Sequence, residues 1–295
     1  MKMNDSNEGT DMQTPEHLEQ EINRISYFRA LNRRNFLTGL GAMGLAAGAV
    51  TVAGCTSSGS YMASTGTGTV MAGSPQPADV LNFALNLEYL EANFYLMATT
   101  GTGLSSTDMG TGPGLGTLTG GQKVNFTTPS IAEIANQIAA DEKMHVEILR
   151  TALASAAVPM PNINLNALGI GFANQTQFLQ LARAFEDTGV SAYLGGAGYL
   201  TSSSADLTAA AQIMAVEAYH ASNIRLNIIQ MGITSSATDS QDVPPTTSAY
   251  FCEKGALAIV RTPQQVLNIV YANTAAGVTK GGFFPNGMNG TIVST

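Results

Sequence analysis

The chain has 295 residues, a formal net charge of -8, 44% hydrophobic residues and only 12% charged ones. That length allows one sizeable core or two small ones, and the apolar, weakly charged composition excludes a largely disordered chain. No basic stripe with interleaved aromatics occurs, which excludes a nucleic-acid partner, and the acidic balance favours cations over anions.

The first signal is for targeting. Asn32-Arg33-Arg34-Asn35-Phe36-Leu37 precedes a glycine- and alanine-rich apolar run that ends Val52-Ala53-Gly54-Cys55. Two arginines, Phe-Leu and a weakly hydrophobic segment are similar to a twin-arginine export signal, with the export machinery as partner. The final four residues resemble a lipobox, which makes Cys55 a candidate lipidation site and a lipid anchor at the cell envelope or periplasmic face the expected outcome. An uncleaved membrane anchor and an ordinary cleavage site are the alternatives, the first disfavoured by the run's many glycines. Residues 1–55 are thus assigned to signal and lipobox. Residues 56–76, rich in Ser, Gly and Thr, are read as a flexible tether. With Cys55 lipidated or removed, Cys252 has no partner, so no disulfide framework is expected.

Helical periodicity predicts a first helix over about 78–97, followed by a long Gly/Thr/Ser loop over 99–127. Thr128 and Pro129 suit the cap and first turn of a second helix reaching about Ala156. A third is predicted over 175–199 and a fourth from about Ser204 to Gly232, whose glycine suits the helix end. The expected class is all-α, a four-helix bundle over residues 77–234. Residues 235–295 are expected to pack on it as an extension with one short helix. Thr262-Pro263-Gln264-Gln265 forms that helix's capping box, and Val266, Leu267, Ile269, Val270 and Tyr271 its apolar face.

Two histidines follow Cys55, and each has a glutamate three residues earlier: Glu142 before His145, and Glu217 before His220. Residues i and i+3 project from one helix face, so each pair offers a carboxylate and an imidazole together. Only eight glutamates follow Cys55. Two chance matches at this offset would occur roughly once in a thousand, and this pair is the one that a di-metal helical bundle uses. The other two helices carry Glu88 and Glu186 in apolar surroundings, each followed seven residues later by a tyrosine, Tyr95 or Tyr193. Seven residues are nearly two turns, so each Glu and Tyr share a face. The chain therefore reads as two similar halves.

Burying four carboxylates uncompensated is prohibitive; two divalent cations would neutralise them, with the imidazoles neutral. The metal ligands are read as Glu88, Glu142, His145, Glu186, Glu217 and His220, and carboxylates with imidazoles suit iron or manganese. Tyr95 is the candidate catalytic group, with core packing as its competing role. Tyr193 and Glu91 are candidate supports of the ligands; core packing is the competing role for Tyr193, and a weak alternative ligand or solvated surface the competing roles for Glu91. Glu133, Glu147 and Asp187 are assigned to surface or capping.

These motifs resemble the ferritin-like superfamily. Asn86-Leu87-Glu88-Tyr89 through Asn93-Phe94-Tyr95-Leu96 is similar to its first helix, and Asp141 through Arg150 to its second. Gln265-Val266-Leu267 and Gly282-Phe283-Phe284-Pro285-Asn286-Gly287 resemble the tail of exported bacterial ferritin-like proteins related to desiccation-related proteins. The resemblance implies one metal on Glu88 and His145, another on Glu186 and His220, and bridging by Glu142 and Glu217. The loop after helix one and the C-terminal extension depart from cage-forming ferritins and argue against mineral storage in a shell. Three functions stay open: redox chemistry of metal with oxygen or peroxide, a non-catalytic metal-binding or protective envelope protein under oxidative or drying stress, and an interaction module. Iron versus manganese and oligomerisation also stay open.

Overall fold

A computed structural model describes residues 75–295; the twin-arginine stretch, Cys55 and nearly all of the tether lie outside them. Four long helices dominate: α1 (Pro77–Thr100), α3 (Pro129–Leu153), α4 (Gln175–Gly196) and α5 (Ser204–Gln230). A single turn, α2 (Ser106–Met109), and the short α6 (Pro263–Val270) complete the α-helices of the described residues. Four two-residue strands accompany them: β1 (Leu118–Thr119) pairs in parallel with β2 (Ile163–Asn164), and β3 (Glu253–Lys254) in antiparallel fashion with β4 (Leu257–Ala258). The architecture is all-α. Among the described residues no helix is long and apolar enough to cross a membrane.

Helix α1 packs mainly on α3, and α4 mainly on α5, and the two pairs face each other across the core. Local chemistry sets the helix ends. Pro77 starts α1, the Asp79 carboxylate accepts from the Gln76 amide at 2.8 Å, and Gly101 at φ +83° stops it. Such a left-handed terminus suits glycine, which has no Cβ to clash. Pro129 starts α3, but the Thr128 side chain does not cap it. Instead Gln175, at the start of α4, accepts from the Thr127 and Thr128 amides at 3.1 and 2.9 Å. One side chain thereby ties the starts of two helices. The capping box of α6 is formed, with Thr262 and Gln265 satisfying each other's amides.

Helix α1 is buried on nearly every side, which explains three buried asparagines in an apolar sequence. Each holds a connecting segment by its backbone. Asn82 accepts from the Val158 amide at 2.9 Å, Asn93 from Leu104 at 3.0 Å, and Asn86 from Asn289 at 3.0 Å while donating to the Asn289 carbonyl. A buried amide that is fully paired fixes one arrangement, because any slip would leave it unsatisfied. The long loop after α1, the α3–α4 connection and the C-terminal tail are all anchored on this one helix.

The extension packs on the bundle through Tyr271, Phe283 and Phe284, all buried, with the Phe283 ring edge-on to Phe185 of α4 at 5.0 Å. Asp187, read from sequence as surface or capping, is instead buried. One residue further along the helix than Glu186, it turns away from the bundle centre. There it pairs with Arg225 of α5 at 2.7 Å and Arg183 at 3.5 Å. Arg183 also pairs with Asp242, and Arg261 with Asp239, so buried guanidiniums clamp the link after α5 to α4 and α5. Glu133 is exposed, and Glu147 pairs with Lys143 near the surface.

Candidate metal centre

Each bundle helix delivers acidic groups to one dry volume. Helix α3 supplies Glu142 and His145, α5 supplies Glu217 and His220, α1 supplies Glu88 and α4 supplies Glu186. All six are buried, with 0–6% of their surface exposed. His145 Nδ1 lies 3.3 Å from Glu88, 3.4 Å from Glu142 and 3.2 Å from Glu217 oxygens. His220 Nδ1 lies 3.0 Å from Glu142 and 3.5 Å from Glu186. Two four-residue groups result, Glu88–Glu142–His145–Glu217 and Glu142–Glu186–Glu217–His220, each with ligand atoms within 4.8 Å of one another. Glu142 and Glu217 belong to both.

The decisive feature is what these atoms lack. One oxygen each of Glu88 and Glu186, both oxygens of Glu142 and of Glu217, and Nδ1 of both histidines are buried without a hydrogen-bond partner. Eight such atoms in one place would be severely destabilising unless positive charge, as bound cations or as protons, lies among them. Oxygen and imidazole-nitrogen donors without thiolate fit a hard or borderline divalent cation. The residues present therefore fit a metal centre.

The electrostatics show how strongly the buried groups act on one another. Burial lifts Glu88 to about 7 despite the lowering effect of His145, and burial with neighbouring carboxylates raises Glu91 and Glu217 well above the ordinary range. Glu142 is driven the other way: burial would raise it, but the two imidazoles outweigh that. Both histidines rise above their ordinary value, because the surrounding carboxylates overcome burial. Without cations, the cluster binds protons in their stead.

The tyrosines contact the cluster with their partners exchanged. Sequence spacing puts Tyr95 on the face of Glu88 and Tyr193 on that of Glu186. In the structure Tyr95 donates to Glu186 and Tyr193 to Glu88, each at 2.5 Å across the bundle. Each phenol occupies the outer oxygen of a carboxylate and leaves the other facing inward. Burial first, and the adjacent carboxylate second, raise both phenols well above 10, so they stay protonated donors.

Sequence reasoning missed Asp141. Its carboxylate lies 3.2 Å from His220 Nε2 and accepts from Gln137 at 2.8 Å. An acceptor on the outer nitrogen holds a proton there and leaves the Nδ1 lone pair facing the centre. Its position beside Glu142 and four residues after Gln137 was the only available signal. Glu91 is buried, not surface. It lies beside a gap over Gly189, where an added Cβ would sit 2.5 Å from a Glu217 oxygen and 3.3 Å from a Glu91 oxygen. Gly189→Ala should therefore push Glu217 aside and weaken metal uptake at least tenfold, while the helix itself loses nothing from an alanine. Metal titration alongside circular dichroism would check this; unchanged uptake would show that the gap is irrelevant to Glu217.

The model of the ferritin-like domain family matches residues 76–230, more than half of the chain. The chain belongs to the ferritin-like domain family. The match spans the four bundle helices and contains all six clustered residues of the ferritin-like domain, and it stops before the C-terminal extension. No curated protein matches the chain.

Proposed function

We propose that this is an exported ferritin-like protein whose six clustered residues bind two iron or two manganese ions, and that it carries out metal-dependent redox chemistry with oxygen or peroxide in the cell envelope. The observation that carries the reading is the set of eight buried donor atoms left without partners. Two cations shared through Glu142 and Glu217 would satisfy all of them and neutralise the four carboxylates. The twin-arginine stretch supports export, and the lipobox supports a tether through Cys55.

When bound, paired iron or manganese would supply one-electron steps to oxygen or peroxide. The protein's own part is positional. Tyr95 and Tyr193 hold the outer oxygens of Glu186 and Glu88, and Asp141 keeps a proton on His220 Nε2. Burial excludes bulk water from the carboxylates, and Glu91 stands beside Glu217, its carboxyl held well above the ordinary range first by burial and then by the neighbouring carboxylates. The test is to add ferrous iron to purified protein and follow oxygen and peroxide consumption. The expected result is oxidation faster than in buffer, falling to the buffer rate in Glu142→Ala. The near-complete burial of the carboxylates favours a second reading, in which the cations only hold the helices together in a protective protein. A large rise in Tm on metal loading without faster oxidation would select it.

A further inference from the structure

The outer faces of α3 and α5 diverge over the histidines and leave a groove of about 510 Å³. Ile134, Ile138 and Ile148 of α3, at helical spacing, and Val216 of α5 give it apolar walls, while Gln137 and Asp141 of α3 and Asn223 of α5 add polar groups to the lining. The walls are mostly apolar, and the two imidazole rings, 6.2 Å apart, close the floor. Their outer nitrogens differ. His220 Nε2 is held by Asp141, whereas His145, only 4% exposed, has no hydrogen-bond partner for Nε2 among the described residues. Since its Nδ1 faces the carboxylates, its Nε2–H is a donor left at the groove, with or without a cation behind it.

His145 Nε2, unlike Nδ1, is not among the fully buried partnerless atoms and so opens to the groove, where it offers a donor to an acceptor atom on a largely apolar body. The volume lies in the range of small organic ligands and far exceeds that of dioxygen or peroxide. Charge narrows the class further. The Asp141 carboxylate in the lining disfavours anions, and apolar walls do not replace the water shell of a cation. We propose that this groove binds a neutral, largely apolar organic molecule through a carbonyl oxygen that accepts from His145 Nε2. Such an occupant would sit one imidazole ring away from the centre proposed above, on which this inference rests for the ligand's relevance to function.

The probe is an environment-sensitive naphthyl ketone, 6-propionyl-2-(dimethylamino)naphthalene, titrated into metal-replete full-length protein whose metal content is measured on the same sample. The expected result is one saturable site with blue-shifted emission. Affinity should fall at least about tenfold with Met144→Arg, which brings a charge to the exposed rim, and with Val216→Trp, which fills the groove. Neither change touches the six clustered residues, so metal content should hold. The same naphthalene with its carbonyl reduced to methylene should bind about tenfold more weakly, having lost one hydrogen bond. Absence of saturable binding, or affinity indifferent to both variants, would overturn the proposal. Equal affinity for the ketone and its methylene analogue would overturn the role of His145. Two ions bound without the probe would sink the groove alone, and the probe bound without ions would sink the metal reading alone.

Discussion

Glu142→Ala is expected to bind neither cation of the proposed centre, whereas Glu88→Ala is expected to keep one. Glu142 contributes to both four-residue groups and Glu88 to only one, so each truncation removes one carboxylate, but from different numbers of sites. Metal analysis after dialysis would give two, one and none for wild type, Glu88→Ala and Glu142→Ala. Equal losses would show that the cations are not shared. A cation supplied at a thousand times its Kd stabilises the fold by about 4 kcal/mol. At about 2–4 °C per kcal/mol, wild type with two such cations, together about 8 kcal/mol, should gain about 16–32 °C in Tm on loading, Glu88→Ala about half of that and Glu142→Ala almost nothing.

The same gain should grow with pH. In metal-free protein Glu88 titrates at about 7, above its unfolded value of 4.5, so its protonation favours the fold and that contribution is lost as pH rises toward 7. The raised histidines act with the same sign: their stabilisation is complete below pH 6.5 and fades above it. Glu142 is lowered, and its opposite contribution is already complete above pH 4.5. Metal-free Tm should thus fall from pH 5 to pH 8, and cations, which displace these protons, should restore more of it at the higher pH.

Asp187→Ala is expected to destabilise the protein by about 3 kcal/mol, or about 6–12 °C in Tm, without removing a cation. Arg225 is 1% exposed and would lose the carboxylate 2.7 Å from its Nη1. Breaking a buried pair costs more than the pair contributes, because the surviving charge stays desolvated. The lower end of the usual range applies, since the Arg225 guanidinium retains the carbonyls of Val243, Ala249 and Tyr250. Arg183 would also lose a partner but keeps Asp242. Thermal unfolding with metal analysis on the same samples checks both parts. A change within about 0.5 kcal/mol, as for an ordinary surface site, would show that the clamp on the C-terminal link contributes little.

The two Glu-x-x-His steps, the two Glu-to-Tyr steps and the long apolar periods were legible in the sequence alone. All rest on relations within one helix, which 3.6 residues per turn fixes without knowledge of any neighbour. They were enough to give an all-α bundle and to put a carboxylate with an imidazole on one face of two helices. What crosses between helices was decided by the tertiary structure. The exchange of Tyr95 and Tyr193 between Glu186 and Glu88, the Asp141 support of His220 and the burial of Asp187 and Glu91 all depend on how each helix is rotated and shifted along its neighbour. That rotation is set by contacts far apart in sequence: the asparagines of α1 holding three loops, Gln175 joining two helix starts, and the arginine clamps on the link after α5. A helix carries its own periodicity in its residues, but its register against another helix exists only once both are packed.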